Sequence, residues 1–220
     1  MQQEAAAAVQ NRTRDTVLFG LFTALTAVGA FIRVPVPVCP FTLQLLFTTL
    51  AGLILGSRRG AAAVALYVAL GLIGVPVFTQ GGGPGYIFQP TFGYLIGFAA
   101  GAWLTGRIRE GASGTAGLGR LLAASFAGLL VVYLFGMVYV YIINNFYLGT
   151  PIGVWPVVLY CFVLAVPGDL CLCVLAAVAE GHTYIQNARR LRLDGPAYGP
   201  VEEGRKPFHF YKGKENRKKE

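Results

Sequence analysis

The chain has 220 residues, 55% of them hydrophobic and 13% charged, with mean hydropathy +0.58 and a formal net charge of +8. An average soluble domain carries about 25% charged residues, so this composition excludes an ordinary soluble domain. The positive excess does not point to nucleic acid either, because residues 186–220 alone hold ten Lys/Arg against five Asp/Glu, and Arg189, Arg190 and Arg192 stand just past the last apolar run, where basic side chains meet anionic lipid headgroups.

Met1 to Asp15 has no apolar stretch longer than Ala5 to Val9, so no cleavable secretory signal is expected and the first apolar segment itself serves as the targeting element. A helix needs about 20 apolar residues to cross a bilayer. Six segments meet or approach that length: Thr16 to Ile32, Phe41 to Gly56, Gly60 to Phe78, Thr91 to Gly106, Leu121 to Ile143 and Val154 to Ala179. The second and fourth are short, and snorkelling flanks or local thinning of the bilayer accommodate them. Alternate connections hold Arg12, Arg14, Arg58, Arg59, Arg107, Arg109, Arg120, Arg189, Arg190 and Arg192, whereas the others hold only Arg33. Because cytoplasmic flanks are enriched in Lys and Arg, both termini are expected inside. Trp103 and Trp155 fall at the headgroup levels of this arrangement. The expected fold is therefore all-α, a polytopic membrane protein of six transmembrane helices: a cytoplasmic segment 1–15, a membrane domain 16–179, and a basic cytoplasmic tail 180–220.

The outer connections, Arg33 to Pro40, Thr79 to Pro90 and Asn144 to Gly153, are rich in Gly, Pro, amide and aromatic residues and nearly free of charge. Prolines stiffen the first, and glycines permit tight turns and close backbone approach in the second. They read either as walls of a site or as short turns.

Along the first segment Gly20 and Ala24 stand four apart, with Ala27 and Ala30 further along much the same face; small residues at this spacing admit another helix, from this chain or from a separate protein. Arg33 either meets an anionic ligand or sits among headgroups. Gln44 needs a hydrogen-bonding partner in lipid, which a neighbouring helix or a ligand can supply. In the second outer loop Gln80 and Gln89 bracket Tyr86 and Phe88, aromatics suited to stacking on a flat ligand or to packing on their own helices. The run Pro90-Thr91-Phe92-Gly93-Tyr94 opens a helix, whose first turn offers unpaired N–H groups.

The most informative residue is Asp169. A carboxylate at the centre of a membrane helix costs about 2.5–3.5 kcal/mol on insertion scales. It follows Pro167 and Gly168, so the helix is expected to kink or break there, as helices do where they line cavities. Its role is either ligand contact or a structural bond to a neighbouring helix.

Cys39, Cys161, Cys171 and Cys173 show no metal or redox spacing and read as packing residues. There is no GxxxxGK[ST] loop and no HExxH, His182 and His209 lie outside the spans, and one carboxylate alone is poor material for a hydrolase, so neither an enzyme nor a metal or cofactor site is expected.

Several stretches, taken in order, carry a resemblance: Cys39-Pro40-Phe41-Thr42-Leu43-Gln44, Gly71 to Phe78, Gly81 to Gly85, Pro90 to Phe98, and Pro167-Gly168-Asp169. They resemble the BioY family, the biotin-specific substrate-binding (S) component of energy-coupling factor transporters. The resemblance implies a six-helix S component in the cell membrane that captures biotin from outside and docks on a transmembrane coupling protein and two ATPase subunits. It implies that Asp169 contacts the bicyclic ring of biotin and that Gly20, Ala24 and Ala27 form the docking face. Two positions depart from the family pattern: Leu172 stands where a lysine is usual, and Phe92 where glycine is common. The ligand carboxylate would then rely on Arg33 or on the start of the fourth helix. Lipoate or a biotin precursor, or a purely structural membrane role, are the competing readings.

Overall fold

A computed structural model describes residues 2–34, 41–111 and 116–193, with side chains described from Thr13 to His182 within them. Cys39 and the proline-rich connection 35–40, together with the tail from Asp194 onward, lie outside the described residues.

Among the described residues seven α-helices account for nearly all the regular structure: α1 (Gln2–Phe31), α2 (Gln44–Leu55), α3 (Ser57–Leu72), α4 (Phe92–Glu110), α5 (Leu118–Ile142), α6 (Val154–Val158) and α7 (Val166–Leu193). Between α1 and α2 lies a small antiparallel hairpin, β1 (Arg33–Val34) with β2 (Phe41–Thr42), in which Arg33 faces Thr42. Among the described residues three stretches are long and apolar enough to cross a membrane, Thr13–Phe31, Leu118–Tyr147 and Val154–His182, and Gln44–Leu55 is a shorter apolar helix. The lipid-type surface is plain in the exposed Leu130, Leu134, Leu164, Leu175 and Val178.

Each of the six apolar segments read from the sequence contains helix, with two instructive differences. The third was expected to run to Phe78 but α3 ends at Leu72. Gly74 adopts φ +114°, a conformation L side chains rarely take, and the chain turns back. Phe78 then fills the place where a side chain on Gly71 would be, its ring 2.1 Å from the ideal Cβ position.

The sixth segment is broken, as Pro167 and Gly168 suggested, but the break precedes the proline. After α6 the chain forms one π-helical turn, Leu159–Val163, followed by a turn at Leu164 and Ala165 before α7 begins. The ladder changes step accordingly: Leu164 N–H donates to Leu159, Ala165 to Phe162, and Asp169 to Ala165. A proline ring clashes with the carbonyl four residues earlier, here Val163, so regular helix cannot approach Pro167 from upstream. Pro167 instead occupies the first turn of α7, where a missing N–H costs nothing.

The bundle centres on α2 and α4. α2 touches α1, α3, α4, α5 and α7, while α4 packs on α2, α3 and α5. One core cluster joins α3, α4, α5 and the α6–α7 junction through Tyr67, Phe78, Tyr94, Phe98, Tyr133 and Cys161. A second joins α2, α5 and α7 through Leu46, Leu53, Leu121, Ala124, Ala176 and Ala177. A third joins α1, α2 and α3 around Phe22, Ala51, Leu55 and Ala63.

The tightest approach is between α4 and α5. Gly93, Gly97 and Gly101 recur every four residues on α4, and ideal Cβ atoms there would lie 2.1 Å from Tyr139 Cβ, 2.9 Å from the Val132 carbonyl oxygen and 2.9 Å from the Gly128 carbonyl oxygen. Small residues at this spacing let helix backbones meet in lipid, where dispersion contacts replace the hydrophobic effect as the force between helices. Gly97→Ala is therefore expected to cost about 1–3 kcal/mol through overpacking, despite the better helix propensity of alanine. Gly20→Ala, on an exposed face with nothing within 4 Å, is expected to leave stability unchanged or slightly raised. Thermal unfolding of both variants in detergent checks the pair; equal stability would show that α4 and α5 are further apart.

Candidate functional site

A single cavity collects most of the polar residues that the sequence singles out. Its walls are Phe41 and Thr42 from β2, Gln44 and Leu45 from α2, and Thr79 and Tyr86 from the loop after α3. Thr91, Tyr94, Leu95 and Phe98 come from the start of α4, Val132 and Tyr133 from the middle of α5, and Cys161, Ala165 and Asp169 from the broken sixth segment.

The Pro167-Gly168-Asp169 run explains itself in this setting. Pro167 ends the upstream helix. Gly168 makes room for Phe41, whose ring lies 2.8 Å from where a Cβ would stand, so that a hairpin aromatic packs over the first turn of α7. Asp169, in that first turn, faces the cavity with the favourable end of the α7 dipole behind it. The Tyr133 hydroxyl donates a hydrogen bond to Asp169 Oδ2. Tyr133 itself is buried, with Phe162 edge-on at 5.1 Å and Tyr94 edge-on at 6.4 Å.

Tyr94 depends on another glycine. Its ring occupies the space beside Gly136, 2.3 Å from an ideal Cβ there, and its hydroxyl reaches the Cys161 carbonyl at 3.4 Å, a backbone acceptor in the π-helical turn. Such turns recur at functional sites.

Gln44 lines the cavity, yet both ends of its amide are engaged: Nε2 donates to Tyr67 Oη at 2.7 Å, and Oε1 accepts from Thr42 Oγ1 at 3.3 Å. Tyr67 in turn donates to the Val77 carbonyl at 3.2 Å. This satisfies a buried amide as a membrane interior requires. Thr91 precedes α4 but does not cap it with its side chain; its hydroxyl instead lies 3.3 Å from the Tyr86 hydroxyl, which is 2.9 Å from that of Thr79.

Of the residues named from the sequence, Asp169, Gln44, Tyr86, Thr91 and Tyr94 therefore share one cavity. Gln80, Gln89 and Arg33 do not line it and are exposed. Arg33 stays beside its mouth, donating through Nη1 to the Thr79 carbonyl and paired in the hairpin with Thr42. Phe88 turns away to stack on Tyr147 at 4.6 Å. Leu172 packs against the first and second core clusters. On α1, Gly20 and Ala24 are exposed, whereas Ala27 is half-buried against the main core and Ala30 is fully buried, so the small-residue stripe turns inward along its length.

The sequence matches the BioY family over residues 1–187. The chain belongs to the BioY family. A Lysinibacillus sphaericus protein named "Probable biotin transporter BioY" is 40% identical over 186 residues, covering 84% of this chain and 94% of that protein. The Thermotoga maritima "Biotin transporter BioY" is 42% identical over 135 residues, covering 61% of this chain and 76% of that one. Among solved structures, the crystal structure at 2.1 Å of the S-component for biotin from an ECF-type ABC transporter superposes with a TM-score of 0.67. It covers 84% of this chain and 94% of its own at 24% identity, so the likeness is one of fold. As a BioY protein the chain is a multi-pass membrane protein.

Tyr133, Thr42, Thr79 and Phe41 also line the cavity, although the sequence reading named none of them as a site residue. Tyr133 did carry a signal, a hydroxyl in the middle of an aliphatic span (Leu129-Leu130-Val131-Val132-Tyr133), where a polar group needs a partner. At the opposite end of the bundle two further ties escaped notice. Arg109 pairs with Glu180 at 3.1 Å, and Glu110 accepts from both the backbone N–H and the hydroxyl of Ser57 at 2.7 Å, which joins α4 to α7 and to α3.

Proposed function

We propose that this protein is the biotin-binding S component of an energy-coupling factor importer in the cell membrane. The observation that carries this reading is the 40% identity with a protein named as a biotin transporter along 94% of that protein's length. The cavity supports it independently of any name. It offers one carboxylate, one amide, several hydroxyls and five aromatic rings in an otherwise apolar lining, which suits a small molecule with a polar head.

Biotin's ureido ring carries two N–H donors and a carbonyl. Asp169 accepts an N–H from that ring in a charge-assisted hydrogen bond, stronger than a neutral one and stronger still away from water. Tyr86, Thr91, Tyr94 and Gln44 surround the ligand. The carboxylate tail lies toward Thr42, Thr79 and Thr91, with Arg33 as the cation at the mouth in place of the lysine that Leu172 replaces. Gln80 and Gln89, exposed beside that mouth, meet the ligand as it enters. No chemical change of the ligand is involved, so the protein is not an enzyme and uses no cofactor.

The finer membrane arrangement belongs to the same proposal. α1 to α5 and the broken α6–α7 pair form six spans, with residues 1–15 and the basic tail 180–220 on the cytoplasmic side, because the Lys and Arg residues cluster on that set of connections. A transmembrane coupling protein docks on the exposed face of α1 at Gly20 and Ala24, with Ala27 at its edge, and two ATPase subunits supply the energy. Single cysteines at Gly83 and Gly149 are then expected to react with an impermeant thiol reagent in intact cells, and one at the exposed Arg58 to remain unlabelled until the cells are permeabilised. Labelling at position 58 from outside would reverse the orientation.

The direct test of the site is Asp169→Asn. The amide keeps the size but presents an N–H where a carboxylate oxygen stood, leaving donor against donor at a cost of about 1–3 kcal/mol or more. Biotin affinity is expected to fall by about five- to a hundred-fold. Calorimetric titration of folded variant with undiminished affinity would remove Asp169 from the site.

A further inference from the structure

Among the described residues, Asp169 accepts a side-chain hydrogen bond from Tyr133 and from no other side chain. That bond occupies Oδ2. Both residues line the same cavity, and they come from different helices, α5 and α7. The ring of Tyr133 is held by Phe162 and Tyr94, so its hydroxyl reaches Asp169 from a fixed direction. One turn further along α7 stands Leu172, whose side chain packs into the core, and it brings no charge to the carboxylate.

A carboxylate can accept about four hydrogen bonds, and a phenol can donate one while accepting others. With the Tyr133 proton committed to Oδ2, Oδ1 is the carboxylate oxygen that takes no side-chain hydrogen bond among the described residues. Asp169 thus presents an acceptor to the cavity, and among the described residues no cation pairs with it. Such a surface favours a ligand group rich in N–H donors. It also disfavours an anionic group at the same place, because a second negative charge in a poorly solvated site repels the first.

We propose that Tyr133 is a positioning and specificity-determining residue, fixing Asp169 through Oδ2 so that Oδ1 meets a ligand N–H and anionic groups are kept from that end of the cavity. This rests on the reading of Asp169 as the acceptor for the ureido ring.

The test is a double-mutant cycle on the full chain, read by biotin titration and by thermal unfolding. Y133F removes only the hydroxyl and keeps the ring contacts. It is expected to weaken biotin binding about ten-fold, the effect of one lost hydrogen bond to a charged group. In the D169N background the same substitution is expected to add little, since residues that act through one another are not additive. Unchanged affinity in Y133F, where D169N loses affinity, would overturn the role of Tyr133 and leave that of Asp169 standing. Losses that add in full would equally overturn it, by showing that Tyr133 does not act through Asp169. Undiminished affinity in D169N would remove Asp169 from the site, and this proposal with it. Should Y133F not fold, 3-fluorotyrosine at position 133 keeps the hydroxyl and changes its acidity. Affinity should then shift from that of the wild type, and an unshifted affinity would overturn the proposal.

Discussion

Keeping a carboxylate inside a bundle made for lipid is the constraint on which the rest of this structure turns. An aspartate in the hydrocarbon region is retained only where the fold offsets its desolvation. Here the offset comes from three places. The break before Pro167 puts Asp169 in the first turn of α7, where the helix dipole favours negative charge. Tyr133 donates to it from α5. The cavity in front of it leaves one side open to a polar guest. Were the sixth segment a continuous helix, Asp169 would lose the N-terminal turn behind it, and the π-helical turn whose Cys161 carbonyl Tyr94 approaches would be lost.

The cavity walls are aromatic, and glycines decide where the aromatics go. Tyr94 occupies the place of a missing side chain at Gly136 and Phe41 at Gly168, while Phe78, packed against the wall residue Tyr86, fills that at Gly71. Each pairing sets a ring from one element into another element's backbone, so the wall is fixed by main-chain approach and keeps its shape without a ligand. The stripe Gly93, Gly97 and Gly101 brings α4 and α5 together in the same way, and thereby sets Tyr94 and Tyr133 edge-on. Packing at this density transmits displacement, so a methyl group added at the α4–α5 contact would be felt at the cavity.

Much of this was legible in the sequence because membranes impose simple rules. Apolar runs located the seven α-helices among the described residues, the arginine distribution suggested an orientation, and the isolated Asp169 after proline and glycine marked one wall of the cavity. The resemblance to the BioY family, drawn from short motifs in order, agrees with the family match over residues 1–187. What was not legible depends on facing partners. Nothing in the order of residues says that Gln44 spends both ends of its amide on Thr42 and Tyr67, that Phe88 turns toward Tyr147, or that Ala27 rotates inward while Ala24 stays exposed. Gln80, Gln89 and Arg33 were grouped with the site by their place in the loops, but a loop residue can face either way, and these three face out. Tyr133 was missed because an aromatic in an apolar span reads as packing until its hydroxyl is seen to have a partner.

Every residue that lines the cavity belongs to this one chain, so the chain alone is expected to bind biotin. Equilibrium titration of the purified, monodisperse protein with biotin, with no ATP and no other subunit present, tests it most directly. Saturable binding of one biotin per chain is the predicted result. A folded protein that binds no biotin under those conditions would contradict the account.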